Sequence, residues 1–186
     1  MLKKIKKLLK GTATCSGWKN NEYFDDAWKR RIKALASLIE GERVILDLGC
    51  GKMWLKEMLP KDVKYIGCDY IERGPGTFIC DFNKNEFPPV KADVCFVSGV
   101  LEYVENTDWF LDKIRGCCDS LIISYCTTDL HPDIKVRRAL NWVNDFSFEE
   151  LKKTIEAKGF VFCKMGIRTD NNELMKFKVA SKRVSV

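Results

Sequence analysis

The sequence predicts an α/β three-layer sandwich, with a mostly parallel seven-stranded sheet between two helical layers and an antiparallel hairpin strand at the C-terminal end. Three observations carry this expectation. Short β-branched apolar runs alternate with segments of helical period along most of the 186 residues. The run Val44-Ile45-Leu46-Asp47-Leu48-Gly49-Cys50-Gly51 is a strand leading into an acid and then into two glycines one residue apart. The chain closes with two successive strands and no helix between them, which is the pattern of antiparallel pairing.

A lysine-rich tail and turn-rich linker occupy residues 1–21, and one domain is expected over 22–186. Glu22–Ile39 reads as a helix because Trp28, Ile32, Leu35 and Leu38 or Ile39 recur at helical spacing, and Gly41 stops it. The strand Arg43–Leu48 follows, then a helix over Lys52–Leu59 closed by Pro60. Val63–Cys68 and Thr77–Cys80 are the next strands. Ala92–Ser98 is apolar almost throughout, which suits a strand buried on both faces. Asp108–Ile114 is a helix and Ser120–Tyr125 the fifth strand. An irregular connection over 126–145 contains a short helix, Ile134–Asn141. Ser147 with Glu150 three positions on is a capping-box signature for a helix that ends at Gly159. Phe160–Gly166 and Leu174–Ala180 are the final strands, joined at Asp170-Asn171-Asn172.

Composition narrows the class. An apolar content of 46% and a charged content of 31% are those of an ordinary globular protein. No run is long enough to span a bilayer, and the N-terminus has no secretory signal pattern, so a cytoplasmic location is expected. Nine scattered cysteines without a Cys-x-x-Cys pair, beside one histidine, read as reduced buried residues, and no metal is expected. Lys3, Lys4, Lys6, Lys7 and Lys10 supply five of the six net positive charges, so the rest is close to neutral and a nucleic-acid surface is not indicated. Leu2, Ile5, Leu8 and Leu9 share one side of the tail. A solvated tail, or a helix packed on its own domain, is the favoured reading, and weak contact with a membrane surface is the alternative. The sequence carries no signal for an oligomeric state.

A strand, a glycine turn and a helix form a ligand-binding corner in which the backbone approaches the ligand closely. The acid before the glycines repels a pyrophosphate and attracts a cation. A nicotinamide dinucleotide is disfavoured further because Trp54 stands where the dinucleotide fingerprint has its third glycine. Asp47-Leu48-Gly49-Cys50-Gly51 resembles the first motif of the class I S-adenosylmethionine-dependent methyltransferases, and the likeness extends over roughly residues 20–180. Met53 departs from the family pattern, which often has a third glycine there.

The resemblance implies a Rossmann-like fold and S-adenosylmethionine as cofactor, with S-adenosylhomocysteine as product. It implies that Asp47, Gly49, Cys50 and Gly51 border the methionine part. Asp69, at the end of the second strand, would accept from both ribose hydroxyls, with Tyr70 beside the adenine. Asp81 and Phe82 would meet the base. Ser98, Gly99 and Glu102, after the fourth strand, would border the methionine moiety, with Glu102 orienting an amine.

Methyl transfer from a sulfonium needs alignment of donor and acceptor rather than a covalent nucleophile. A hydroxyl acceptor would need a base, and His131 is the candidate, with Asp129, Asp133 and Glu102 as alternatives. Tyr23, Tyr125, Arg137, Arg138 and Trp142 are the candidate acceptor-binding residues: arginines for an anionic group, Trp142 to stack on a ring or sugar. The expected activity is methylation, through oxygen, of a small molecule or glycan precursor. The rival readings are an RNA or protein methyltransferase and a noncatalytic protein that binds the cofactor.

Overall fold

The computed structural model describes residues 24–169 and 171–180. The lysine tail, the domain boundary at residue 21 and Tyr23 lie outside the described residues. The strands are β1 (Val44–Leu48), β2 (Lys64–Asp69), β3 (Phe78–Ile79), β4 (Val94–Ser98), β5 (Ser120–Tyr125), β6 (Phe160–Met165) and β7 (Glu173–Val179). They form one sheet in the order β3-β2-β1-β4-β5-β7-β6. β1 to β5 run parallel, and β7 is inserted antiparallel between β5 and β6. The helices are α1 (Asp26–Ala36), α2 (Trp54–Met58), α3 (Thr107–Cys117), α4 (Ile134–Ala139) and α5 (Phe148–Glu156). No described helix is long and apolar enough to cross a membrane.

The strand pleat sorts the core into two layers. Ile45, Val94, Phe96, Ile122 and Leu174 point to the face covered by Leu35, Leu38 and Leu55 of the α1 and α2 region. Leu46, Leu48, Cys95, Val97, Leu121 and Ile123 point to the other face, against Phe110, Leu111 and Ile114 of α3 and Leu151 and Ile155 of α5. The three layers expected from the alternating pattern are therefore present, with both sheet faces apolar where helices cover them.

Several element ends differ from the sequence reading for local reasons. α1 stops at Ala36, and Leu38 is buried from the following turn rather than from the helix. The helix after the glycine corner starts at Trp54, because Met53 adopts φ +53°, a left-handed conformation in which no helix begins. α3 is longer than expected: the Asn106 side chain accepts from Trp109 N–H and caps it, and the helix continues to Cys117. α4 ends two residues early, before Asn141 turns left-handed at φ +60°. The capping box at Ser147 and Glu150 is formed in both directions, and its loss on Ser147→Ala would cost about 1 kcal/mol.

Candidate functional site

β1 lies inside the sheet, between β2 and β4, and the chain leaves it at the point where the strand order reverses. Ligands of open parallel sheets bind beyond the carboxyl ends of strands at such a point. Gly49 N–H and Cys50 N–H both donate to the Cys68 carbonyl, at 2.8 and 3.0 Å, folding the turn against the end of β2. Gly49 and Gly51 have φ +77° and +49°. A Cβ on Gly49 would lie 2.3 Å from the Val100 side chain, and one on Gly51 would lie 2.4 Å from the Phe24 ring, so the backbone here is approached too closely for any other residue.

Asp69 ends β2 with its carboxylate turned into this corner. Oδ2 accepts from Gly51 N–H at 2.9 Å and Oδ1 from Tyr70 N–H at 2.8 Å. Arg73 Nε stands 3.1 Å from Oδ2, with both side chains almost wholly buried. The Arg73 guanidinium lies 5.3 Å from the Phe24 ring centroid and 5.8 Å from that of Tyr70. Phe24 makes edge contacts with Trp28 at 5.2 Å and Trp54 at 5.9 Å. The glycine corner is thus lined by Phe24 and Arg73 as well as by the residues read from the sequence. Arg73, four residues after Asp69, had a readable ion-pair spacing. Phe24 had no local signal, because its contact is set by how α1 docks.

Asp47 is buried beneath the corner and accepts from the Tyr65 hydroxyl at 2.8 Å. Burial, reinforced by the charge of Asp69 and opposed by the Tyr65 hydrogen bond, pushes its carboxyl up to about 7. The Cys50 thiol is buried and raised above its ordinary value by that burial and by Asp47 and Asp69.

On the other side of the switch point, Ser98 Oγ accepts from Arg31 Nε at 3.1 Å, and Gly99 N–H donates to Ser124 Oγ at 3.0 Å. Gly99 has φ +65°, and a Cβ there would stand 2.5 Å from the Arg31 guanidinium. α1 therefore delivers a cation to the end of β4, a residue the sequence reading missed. Glu102 is buried. Its Oε1 accepts from Cys126 N–H at 3.0 Å, while Oε2 is buried with no hydrogen-bond partner. Burial raises this carboxyl.

Asp81 caps the 3₁₀ turn Phe82–Lys84 by accepting from Asn83 N–H, and it pairs with Lys84 at 3.4 Å. Phe82, expected to meet the base, is buried beside Asp81. Its ring packs on Phe110 at 4.8 Å and Phe87 at 6.3 Å within the core and so anchors this loop.

The connection after β5 holds the larger corrections. Arg137 is wholly buried: Nε donates to Asp145 Oδ1 at 2.7 Å and Nη1 to the Cys126 carbonyl at 2.8 Å. Its Nη2 donates to the Tyr125 hydroxyl at 3.1 Å and to the Asn144 carbonyl. The Tyr125 hydroxyl in turn donates to that carbonyl at 2.9 Å. Arg137 and Tyr125 therefore hold the loop together and are not available to an acceptor. Trp142 is also buried, its ring 4.9 Å from the Arg137 guanidinium and its Nε1–H donating to the Tyr103 hydroxyl at 2.9 Å. Arg138 is half-exposed and paired with Asp145. The partly exposed His131 ring meets the Trp142 ring edge-on at 5.8 Å, and burial together with the Arg137 charge lowers its pKa below 6.5.

No protein-family model matches the chain, and no curated protein matches it either. Among solved structures the chain is similar to LaPhzM, at 16% identity and a TM-score of 0.66, covering 86% of this chain and 57% of that one. It is similar to the magnesium protoporphyrin IX methyltransferase of Synechocystis PCC 6803 with bound S-adenosylhomocysteine, at 14% identity and a TM-score of 0.63, covering 83% and 84%. A third likeness is to the 1,6-didemethyltoxoflavin-N1-methyltransferase of Burkholderia thailandensis, with bound 1,6-didemethyltoxoflavin and S-adenosylhomocysteine, at 18% identity and a TM-score of 0.61, covering 83% and 79%. The chain spans little more than half the length of the first of these. With this strand order, the antiparallel β7 and these likenesses, the chain has the class I S-adenosylmethionine-dependent methyltransferase fold.

Proposed function

We propose that the chain is a cytoplasmic S-adenosylmethionine-dependent methyltransferase that methylates a small molecule or glycan precursor through oxygen. The observation that carries this reading is the buried Asp69 carboxylate, hydrogen-bonded to Gly51 N–H across a corner whose glycines leave no room for a Cβ. The unpartnered Oε2 of Glu102, at the facing strand end, is a second acceptor that fits the cationic, donor-rich methionine end of this cofactor. S-adenosylhomocysteine is bound in two of the structures to which this chain is similar, and their names specify small-molecule acceptors.

When bound, the cofactor supplies an electrophilic methyl group. The chain's own residues would hold and screen it. Asp69 accepts from the ribose hydroxyls, with Tyr70 beside the base and Asp81 at the adenine edge. Asp47, Gly49, Cys50, Gly51, Ser98 and Gly99 border the methionine part. The Arg31 cation lies at the strand end that a carboxylate would approach. The acceptor side is formed by the 126–146 connection, where His131 has a lowered pKa and is a neutral imidazole at pH 7, able to take a hydroxyl proton. Arg138, half-exposed in this connection and paired with Asp145, would meet an anionic group on the acceptor.

Calorimetric binding of S-adenosylhomocysteine to wild type and Asp69→Ala tests the reading. Micromolar binding that weakens about a hundredfold in the variant is expected, since two hydrogen bonds to a charged acceptor are lost. Folded wild type that fails to bind would overturn it. Transfer of a labelled methyl group to a panel of hydroxylated small molecules then identifies the acceptor class.

A further inference from the structure

At the opposite end of the sheet from the glycine corner, three cysteines meet in the core. Cys95 is the second residue of β4, Cys117 ends α3, and Cys118 follows it just before β5. Their Sγ atoms lie within 4.8 Å of one another, and Cys95 and Cys117 are 3.4 Å apart. All three are buried, with exposures of 0%, 8% and 5%. Two rigid elements hold the set: β4 is paired on both sides, and α3 is fixed to the sheet through Phe110, Leu111 and Ile114.

The Cys117 thiol reaches the Ile114 carbonyl at 3.3 Å, and the Cys118 thiol reaches the Ile114 and Ser120 carbonyls at 3.3 and 3.0 Å, so backbone as well as sulfur surrounds the cluster. Three sulfurs about 2.3 Å from one ion stand roughly 4 Å apart, a spacing that lies between the measured pair and the 4.8 Å limit. No histidine, acid or further cysteine joins the group among the described residues. That disfavours zinc, which takes four ligands in a closed structural site. A soft ion satisfied by thiolates alone suits the set better. Positive charge is at hand: the Lys91 ammonium donates to the Gly116 carbonyl, one residue before Cys117.

We infer that Cys95, Cys117 and Cys118 form a three-sulfur site for a soft monovalent metal ion of the Cu(I) type. The ion ties the end of α3 to β4, displaces the thiol protons to solvent, and takes no part in methyl transfer. The site shares no residue with the glycine corner and does not rest on the proposed activity.

The test is an anaerobic titration of the reduced full chain with Cu(I) against a chromophoric chelator, with X-ray absorption of the loaded protein. One ion per chain, three sulfur neighbours and a raised melting temperature are expected. Cys117→Ser and Cys118→Ser should each weaken uptake at least tenfold, whereas Cys163→Ser, at an exposed cysteine outside the cluster, should leave it unchanged. The absorption measurement on wild type needs no variant to fold. Two sulfur neighbours, uptake insensitive to the cluster variants, tighter binding of Zn(II) than of Cu(I), or no uptake by the folded chain would each overturn the assignment.

Discussion

Arg73 and Asp69 form a buried ion pair across one turn of chain, with Nε 3.1 Å from Oδ2, so the carboxylate proposed to hold the ribose is already engaged within the protein. Phe24 covers the Arg73 guanidinium at 5.3 Å and also fills the space above Gly51. A cofactor entering this corner competes with both side chains. Phe24→Ala is therefore expected to tighten S-adenosylhomocysteine binding about tenfold, equivalent to about 1.4 kcal/mol. Calorimetry on the variant checks it: equal affinity would mean that the ring stands clear of the bound ligand.

Arg137 should matter for stability rather than for the acceptor. Removing it strands the Asn144 and Cys126 carbonyls and the Asp145 carboxylate around a buried void. Arg137→Ala is expected to cost about 3 kcal/mol or more, read as a shift in the urea midpoint. Arg137→Lys should not restore it, because an ammonium cannot reproduce the planar fork that reaches four partners.

The pH dependence of stability should carry a signature of Asp47. Its carboxyl is raised in the folded chain from an ordinary 3.8 to about 7, chiefly by burial. The folded state thus holds a proton that the unfolded state has lost. The stabilisation is complete below about pH 4 and is lost as pH rises through about 7. Wild type should lose up to roughly 4 kcal/mol relative to Asp47→Asn across that interval. Denaturation of both proteins at about pH 4 and pH 8 measures it, and parallel behaviour would show that Asp47 stays in one protonation state.

For a hydroxyl acceptor, His131→Ala should lower kcat by about a hundredfold while leaving cofactor affinity unchanged. Because burial and Arg137 lower the imidazole pKa, the acid limb of the wild-type kcat profile should fall below pH 6.5 and vanish in the variant. A variant with unaltered kcat would exclude His131 as the base.

Much of the fold was legible because its signals are local. Val44 to Gly51 reads as a strand and glycine turn from propensity and backbone freedom alone, and Ser147 with Glu150 announces a helix start that the structure forms with both reciprocal hydrogen bonds. The alternation of strands and helices dictates a parallel sheet, and two consecutive strands dictate an antiparallel end, because crossover chirality and connection length leave few other topologies. Asp69 was likewise readable as an acid at a strand end.

What only the tertiary structure decided is which long side chains share a volume. Arg137, Lys176, Arg31 and Arg73 look like surface cations in the sequence. Arg137 is instead the centre of a loop, and Lys176 is buried in β7 with its ammonium 2.8 Å from the Leu38 carbonyl and 2.7 Å from Glu42. Arg31 and Arg73 reach the two sides of the glycine corner. Their hydrogen-bond and ion-pair partners lie between six and 138 positions away, except for the short Asp69–Arg73 spacing. Local propensity sets backbone conformation over a few residues. Whether a charged side chain faces water or a carbonyl depends on where distant segments dock, and burying a cation is tolerable only once those partners are assembled around it.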